Sequence, residues 1–151
     1  MTSAAADEIL KRAEARAAEH KLAYRGAVTP QEAHALVEQG AAKIIDVRTK
    51  FESDYVGRIP NSTLIEWKQI PSGELNPQFL KQLSEAGTPQ ETYLFLCRSG
   101  VRSHAAAIAA TQAGYTNALN ILEGFEGDLD AEQHRGTAGG WRKAGLPWIQ
   151  S

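Results

Sequence analysis

Short apolar runs punctuate this chain, and helical patterns lie between them. KIIDV, residues 43–47, and TYLFL, residues 92–96, are continuous apolar stretches bounded by polar residues, as buried strands are. NALNIL, residues 117–122, reads as a third strand, and residues 62–65 as a weaker one. Before KIIDV, Thr29 can N-cap a helix, Pro30 fits its first position, Glu32 completes a capping box and Gly40 stops it. NPQFLKQLSEAG repeats that grammar, with Asn76 as cap, Pro77 in the first turn and Gly87 at the end. Residues 103–113 form a helix stopped by Gly114, and GGWRKAGLPW closes the chain as a short helix ended by Gly145 and Pro147. Residues 4–21 are rich in alanine, glutamate and arginine, all good helix formers. Their stripe of Ile9, Leu10, Ala13 and Ala17 is thin, which predicts weak packing on the domain or on a partner.

Strands therefore alternate with helices. That order predicts an α/β fold: one domain with a largely parallel central sheet and helices on both faces, plus an N-terminal helix. The expected layout is a helical extension over residues 1–22 and the domain over 23–151. A length of 151 residues suits one compact unit. Net charge is -2, so no global electrostatic argument favours nucleic acid or an anionic membrane as partner. The N-terminal segment has early acids and no apolar stretch of the signal-peptide kind, and no apolar run approaches membrane-spanning length. A single cysteine cannot form an internal disulfide and suits a reducing compartment, so a cytoplasmic location is expected. His20, His34, His104 and His134 lack metal-ligand spacing, and no dinucleotide or phosphate-loop fingerprint is present, so neither metal nor cofactor is expected.

The chemistry concentrates in FLCRSGVRS. Cys97 stands where the TYLFL strand ends, and ligands of open α/β sheets bind at the carboxyl ends of strands. The segment Arg98, Ser99, Gly100, Val101, Arg102 then leads into a helix. Gly100 permits a tight curl, and backbone N–H groups turned inward form a nest for an anion, reinforced by the helix dipole and by both arginines. A thiol in such a cradle loses its proton readily, and the thiolate is the nucleophile. Ser103 can act both as helix cap and as hydrogen-bond donor to the sulfur. His104 reads as a helix residue rather than a base. The bland alternative is that a lone cysteine is a small buried hydrophobe. The strand–Cys–Gly–Arg–helix arrangement outweighs it.

These residues resemble the active-site loop of the rhodanese homology family, the sulfurtransferases: a cysteine, four residues, an arginine, then a serine. DVRTKFESDYVGRIPNS, residues 46–62, is similar to that family's Asp-Val-Arg, glutamate, Gly-His-Ile-Pro signature, and LEGFEGD and GGWRKAGLPW to its C-terminal pattern. The resemblance spans about residues 31–148. Departures are Arg58 for the usual histidine, Asn61 for a common glycine, and the lack of tryptophan soon after Gly-Phe. The resemblance implies that Cys97 takes a sulfane sulfur from a small anionic donor such as thiosulfate. The resulting persulfide passes it to cyanide, a thiol or a protein acceptor. Backbone N–H groups over residues 98–103 would stabilise the sulfur, Arg98 would guide the donor, and Arg102 would bind substrate or brace the loop. Asp46 and Arg48 suit either a pocket role or, more naturally, a structural ion pair. Arg58 adds charge nearby, and Glu52, Gly57 and Pro60 read as turn builders. Trp67, Phe125 and Trp141 read as core or wall.

Rival readings are a non-catalytic protein-binding module, a thiol redox relay, and a related phosphatase or arsenate reductase. The last pair place one more residue between cysteine and arginine, which leaves room for a tetrahedral oxyanion. Here only four residues separate Cys97 from Arg102.

Overall fold

The computed structural model describes residues 3–150. Met1, Thr2 and Ser151, which the expected layout takes in, lie outside the described residues. The elements run α1 (Ala4–His20), β1 (Gly26–Val28), α2 (Pro30–Glu38), β2 (Lys43–Asp46), α3 (Lys50–Tyr55), β3 (Thr63–Leu64), α4 (Phe79–Ala86), β4 (Tyr93–Leu96), α5 (Val101–Gln112) and β5 (Ala118–Ile121). All strand pairs are parallel, in the order β1-β5-β4-β2-β3.

Both faces of the sheet are covered, which is why its central strands read as unbroken apolar runs. Alternation still sorts the side chains. Leu94 and Leu96 of β4 pack with Ile44, Leu119 and Ile121 against α1 and α2. Tyr93 and Phe95 pack with Ile45 and Val47 against α4 and α5. Ala106, Ala107 and Ala110 let α5 lie close on the sheet beneath the loop that follows β4.

Several expectations need correction. The stripe of α1 is not weakly packed: Ala6, Ile9, Leu10 and Ala13 are buried within the core cluster that includes β1 and α2. The strand that receives it, β1, escapes sequence reading because Gly-Ala-Val is too short and small to register as an apolar run. Its smallness is what matters. A Cβ on Gly26 would sit 2.6 Å from the Ala13 carbonyl carbon, so the glycine permits contact between helix and strand backbones. Helix α4 starts two residues after the expected first turn: Asn76 does not cap it but accepts from Gln78 N–H and donates to the Glu66 carbonyl and the Gln82 side chain. Glu52 is not a turn builder but a helix residue: it lies in α3, where it forms a full capping box with Thr49. GGWRKAGLPW forms turns around the buried Trp141 instead of a helix. Among the described residues, no helix is long and apolar enough to cross a membrane.

Candidate active site

The sulfur sits at the junction of β4 and α5. The carbonyl of Cys97 accepts from Phe125 N–H at 2.8 Å, and that of Arg98 from Glu126 N–H at 2.9 Å, so residues 125–126 pin the start of the loop. Gly124 makes that approach possible. Its φ is +65°, and a Cβ there would lie 2.5 Å from the Arg98 carbonyl carbon and 2.6 Å from the Cys97 oxygen. Gly100, at φ +113°, turns the chain and becomes the N-cap of α5. This turn aims Gly100 N–H at the Cys97 Sγ, 3.0 Å away. Ser103 does not cap the helix, contrary to expectation, because Gly100 occupies that position. Instead Ser103 lies one turn inside, fully buried, with its Oγ 3.3 Å from Sγ and 2.5 Å from Asn120 Oδ1.

Only 1% of Cys97 is exposed, so the sulfur lies at the floor of the loop. Arg98 and Val101 are exposed above it, and Ser99 is half-buried. Two groups lie within hydrogen-bond distance of the sulfur, Gly100 N–H and the Ser103 hydroxyl, where the resemblance implies a larger set of backbone donors.

Arg102 turns away from the loop centre to a bidentate pair with Glu52 of α3, at 2.7 and 2.8 Å. Burial pushes the Glu52 carboxyl up, but hydrogen bonds from Arg102 and Thr49 outweigh that and hold it at about 2. The hydrogen bonds to Glu52 in turn raise the Arg102 guanidinium above its ordinary value. This geometry is a brace between α3 and the start of α5. Asp46 and Arg48 form a second pair, buried and bidentate, at 2.7 and 2.9 Å. Arg48 also donates to the Gly57 carbonyl at 2.8 Å and lies 4.4 Å from the centroid of the Phe125 ring. With the guanidinium held by Asp46, Gly57 and Phe125, the pair ties β2 to the turn after α3. The backbone of Arg58 pairs with that of Ile149 as an isolated bridge. Asn61 has a φ of 67°, a conformation asparagine tolerates, which accounts for its standing where glycine is common.

Behind the loop lies a cavity of about 420 Å³, lined by Leu22, Tyr24, Val101, His104, Asn120 and Leu122 and by Arg16 and His20 of α1. Cys97 is not among its lining residues. Tyr24 Oη and His104 Nδ1 are 2.7 Å apart. Burial raises the Tyr24 hydroxyl, and a hydrogen bond with Asn120 tempers the rise.

The structure thus gathers Gly100 and Ser103 at the Cys97 sulfur, with Arg102 paired to Glu52, Arg48 held between Asp46 and the Phe125 ring, and Arg58 tied to the C-terminal segment. Sequence reading missed Glu52, Asn120 and Gly124 as neighbours of the site. Thr-x-x-Glu at 49–52 could have revealed the first through its capping box. Nothing local marks Asn120, one polar residue in a buried strand.

The family model described as the rhodanese-like domain matches residues 29–131. An uncharacterized protein of Rickettsia rickettsii is 35% identical over 115 residues, 75% of this chain and 87% of that protein. The crystal structure of Rv0390 from M. tuberculosis is 42% identical and superposes with a TM-score of 0.76, covering 85% of this chain and 99% of that one. The human single-domain sulfurtransferase TSTD1 is 27% identical at a TM-score of 0.52, covering 66% and 90%.

Proposed function

This chain belongs to the rhodanese-like domain family, and from that premise we propose that it is a single-domain sulfurtransferase working through Cys97. The observation that carries the reading is a lone sulfur at the carboxyl end of β4 with Gly100 N–H at 3.0 Å, beneath an exposed arginine. In the first half-reaction the Cys97 thiolate attacks the outer sulfur of a donor such as thiosulfate. A new S–S bond forms, the old one breaks, and sulfite leaves with the bonding electron pair. In the second, cyanide or a thiolate attacks the outer sulfur of the persulfide, and Cys97 leaves as thiolate. Gly100 N–H and the positive end of α5 face the sulfur in each anionic state, which lowers the energy of both displacements. Arg98, at the mouth, favours a small anionic donor. Arg102 has the role of brace, because two of its N–H donors hold the Glu52 carboxylate. The four-residue spacing from Cys97 to Arg102 argues against a phosphatase or arsenate reductase.

Intact-protein mass after incubation with thiosulfate, without reductant, tests the proposal. The protein is expected to gain the mass of one sulfur atom, to lose it to cyanide or a thiol, and to gain nothing as Cys97→Ser. An unchanged mass in a folded protein with a titratable thiol, across thiosulfate and polysulfide donors, would turn the assignment to a non-catalytic binding module.

A further inference from the structure

We infer that Asn120 sets the direction of the Ser103–Cys97 hydrogen bond, making Ser103 an acceptor toward the resting thiol rather than the donor its position suggests. The argument is one of proton counting. The carbonyl of Gly100 can only accept, so the Asn120 amide nitrogen, 3.3 Å away, must face it as donor. That fixes the amide, and Oδ1 is left facing Ser103 at 2.5 Å. Oδ1 can only accept. Ser103 has a single hydroxyl hydrogen and two claimants, Oδ1 at 2.5 Å and Sγ at 3.3 Å. The nearer oxygen takes it, and a lone pair of Ser103 Oγ then faces the sulfur. A thiol can donate into that lone pair, whereas a thiolate is faced by it unfavourably. While Asn120 holds that hydrogen, ionisation of Cys97 leaves the sulfur with Gly100 N–H as its donor and the Ser103 lone pair against it.

Asn120 is thus a positioning residue. It acts through Ser103, turns a lone pair of that hydroxyl toward the sulfur, and leaves Gly100 N–H as the fixed donor. The charged and titratable groups around the sulfur are the neighbouring Arg98, Arg102 with its partner Glu52, the Asp46–Arg48 pair, and Tyr24 with His104 beyond Asn120. These groups are common to the parent and Ser103→Ala; Asn120→Leu also removes the hydrogen bond between Asn120 and Tyr24, so the effect of Ser103→Ala is read within each Asn120 background. The consequence for turnover rests on the sulfurtransferase reading; the proton placement does not.

The test is the pH midpoint of thiolate formation, followed by ultraviolet absorbance, with Cys97→Ser as the blank; a single cysteine makes the signal unambiguous. Ser103→Ala decides by sign. Loss of an acceptor for the thiol should move the midpoint down by roughly half a pH unit to one pH unit, whereas loss of a donor to the thiolate would move it up. Asn120→Leu keeps similar bulk, and the Gly100 carbonyl retains His104 N–H at 3.2 Å. It should also lower the midpoint, because the freed hydroxyl turns to the sulfur. In that background the effect of Ser103→Ala should reverse and raise the midpoint. An unchanged or raised midpoint in Ser103→Ala alone, or the same sign in both backgrounds, would overturn the inference. Neither result depends on whether sulfur is transferred, which the mass measurement reads separately.

Discussion

Gly124 shows how much of the site depends on single atoms. Its positive φ and the 2.5 Å approach of the Arg98 carbonyl carbon leave no room for a methyl group. Gly124→Ala should therefore cost about 2 kcal/mol or more and displace the backbone of Cys97. The expected outcome is a lower denaturation midpoint together with a smaller fraction of protein carrying sulfur in the mass assay. A variant of unchanged stability and loading would mean that the loop does not lean on residue 124. Cys97, Gly100 and Arg102 are legible in the sequence because a glycine and two arginines around a lone cysteine make a local chemical pattern. Asn120 is not. It belongs to the site only because β5 lies beside β4 in the sheet, a relation that no spacing along the chain expresses.

Capping boxes, at the scale of elements, do double duty. Glu32 and Glu52 each close the first turn of their own helix, and each receives arginines from another: Arg12 and Arg16 of α1 for Glu32, Arg102 of α5 for Glu52. Burial opposes both charges, but the arginine hydrogen bonds prevail, and both carboxyls are held at about 2. A folded-state value below the ordinary one means stability that is fully present above about pH 4.5 and is lost as pH falls toward about 2. For Glu52, a largely buried pair, this amounts to about 3 kcal/mol at neutral pH. Glu52→Gln should lose that amount at pH 7 in urea denaturation, with the gap to the parent closing as the pH approaches about 2. A gap independent of pH would assign the loss to packing and not to charge. The tetrapeptide Thr-Pro-Gln-Glu occurs at 29–32 and again at 88–91. In the first case it caps α2. In the second, Glu91 reaches back to Thr88 N–H in the same way, yet a turn leads into β4. The residues C-terminal to each copy decide between the two outcomes: an amphipathic helix after the first, a buried apolar strand after the second.

Across the whole molecule, α1 is part of the core although it precedes the family match at residues 29–131. It covers β1, buries Ile9 and Leu10, and lines part of the cavity behind the loop. Leu10→Ala should destabilise the protein by about 2–4 kcal/mol, read as a lower midpoint of one cooperative unfolding transition. A shift within a few tenths of a kcal/mol would return α1 to the weakly packed appendage that its thin stripe suggests. Two leucine-sized residues suffice here because Gly26 lets the helix backbone touch the strand, so small residues bury fully. Counting large apolar side chains underestimates such contacts.

The sequence by itself determined the α/β class, the parallel sheet, the two central strands, read at 43–47 and 92–96 and found within a residue of those bounds, and the loop that carries Cys97. Each rests on local regularities: apolar runs of strand length, helix start and stop signals, and a cysteine among residues suited to an anion. Tertiary structure alone decided the rest. It turned Arg102 to Glu52, brought Asn120 to Ser103, seated Gly124 behind the loop, buried the sulfur, and gave α1 its place in the core. These are contacts between residues far apart in the chain, and their energies depend on distances of a few tenths of an ångström that only packing sets.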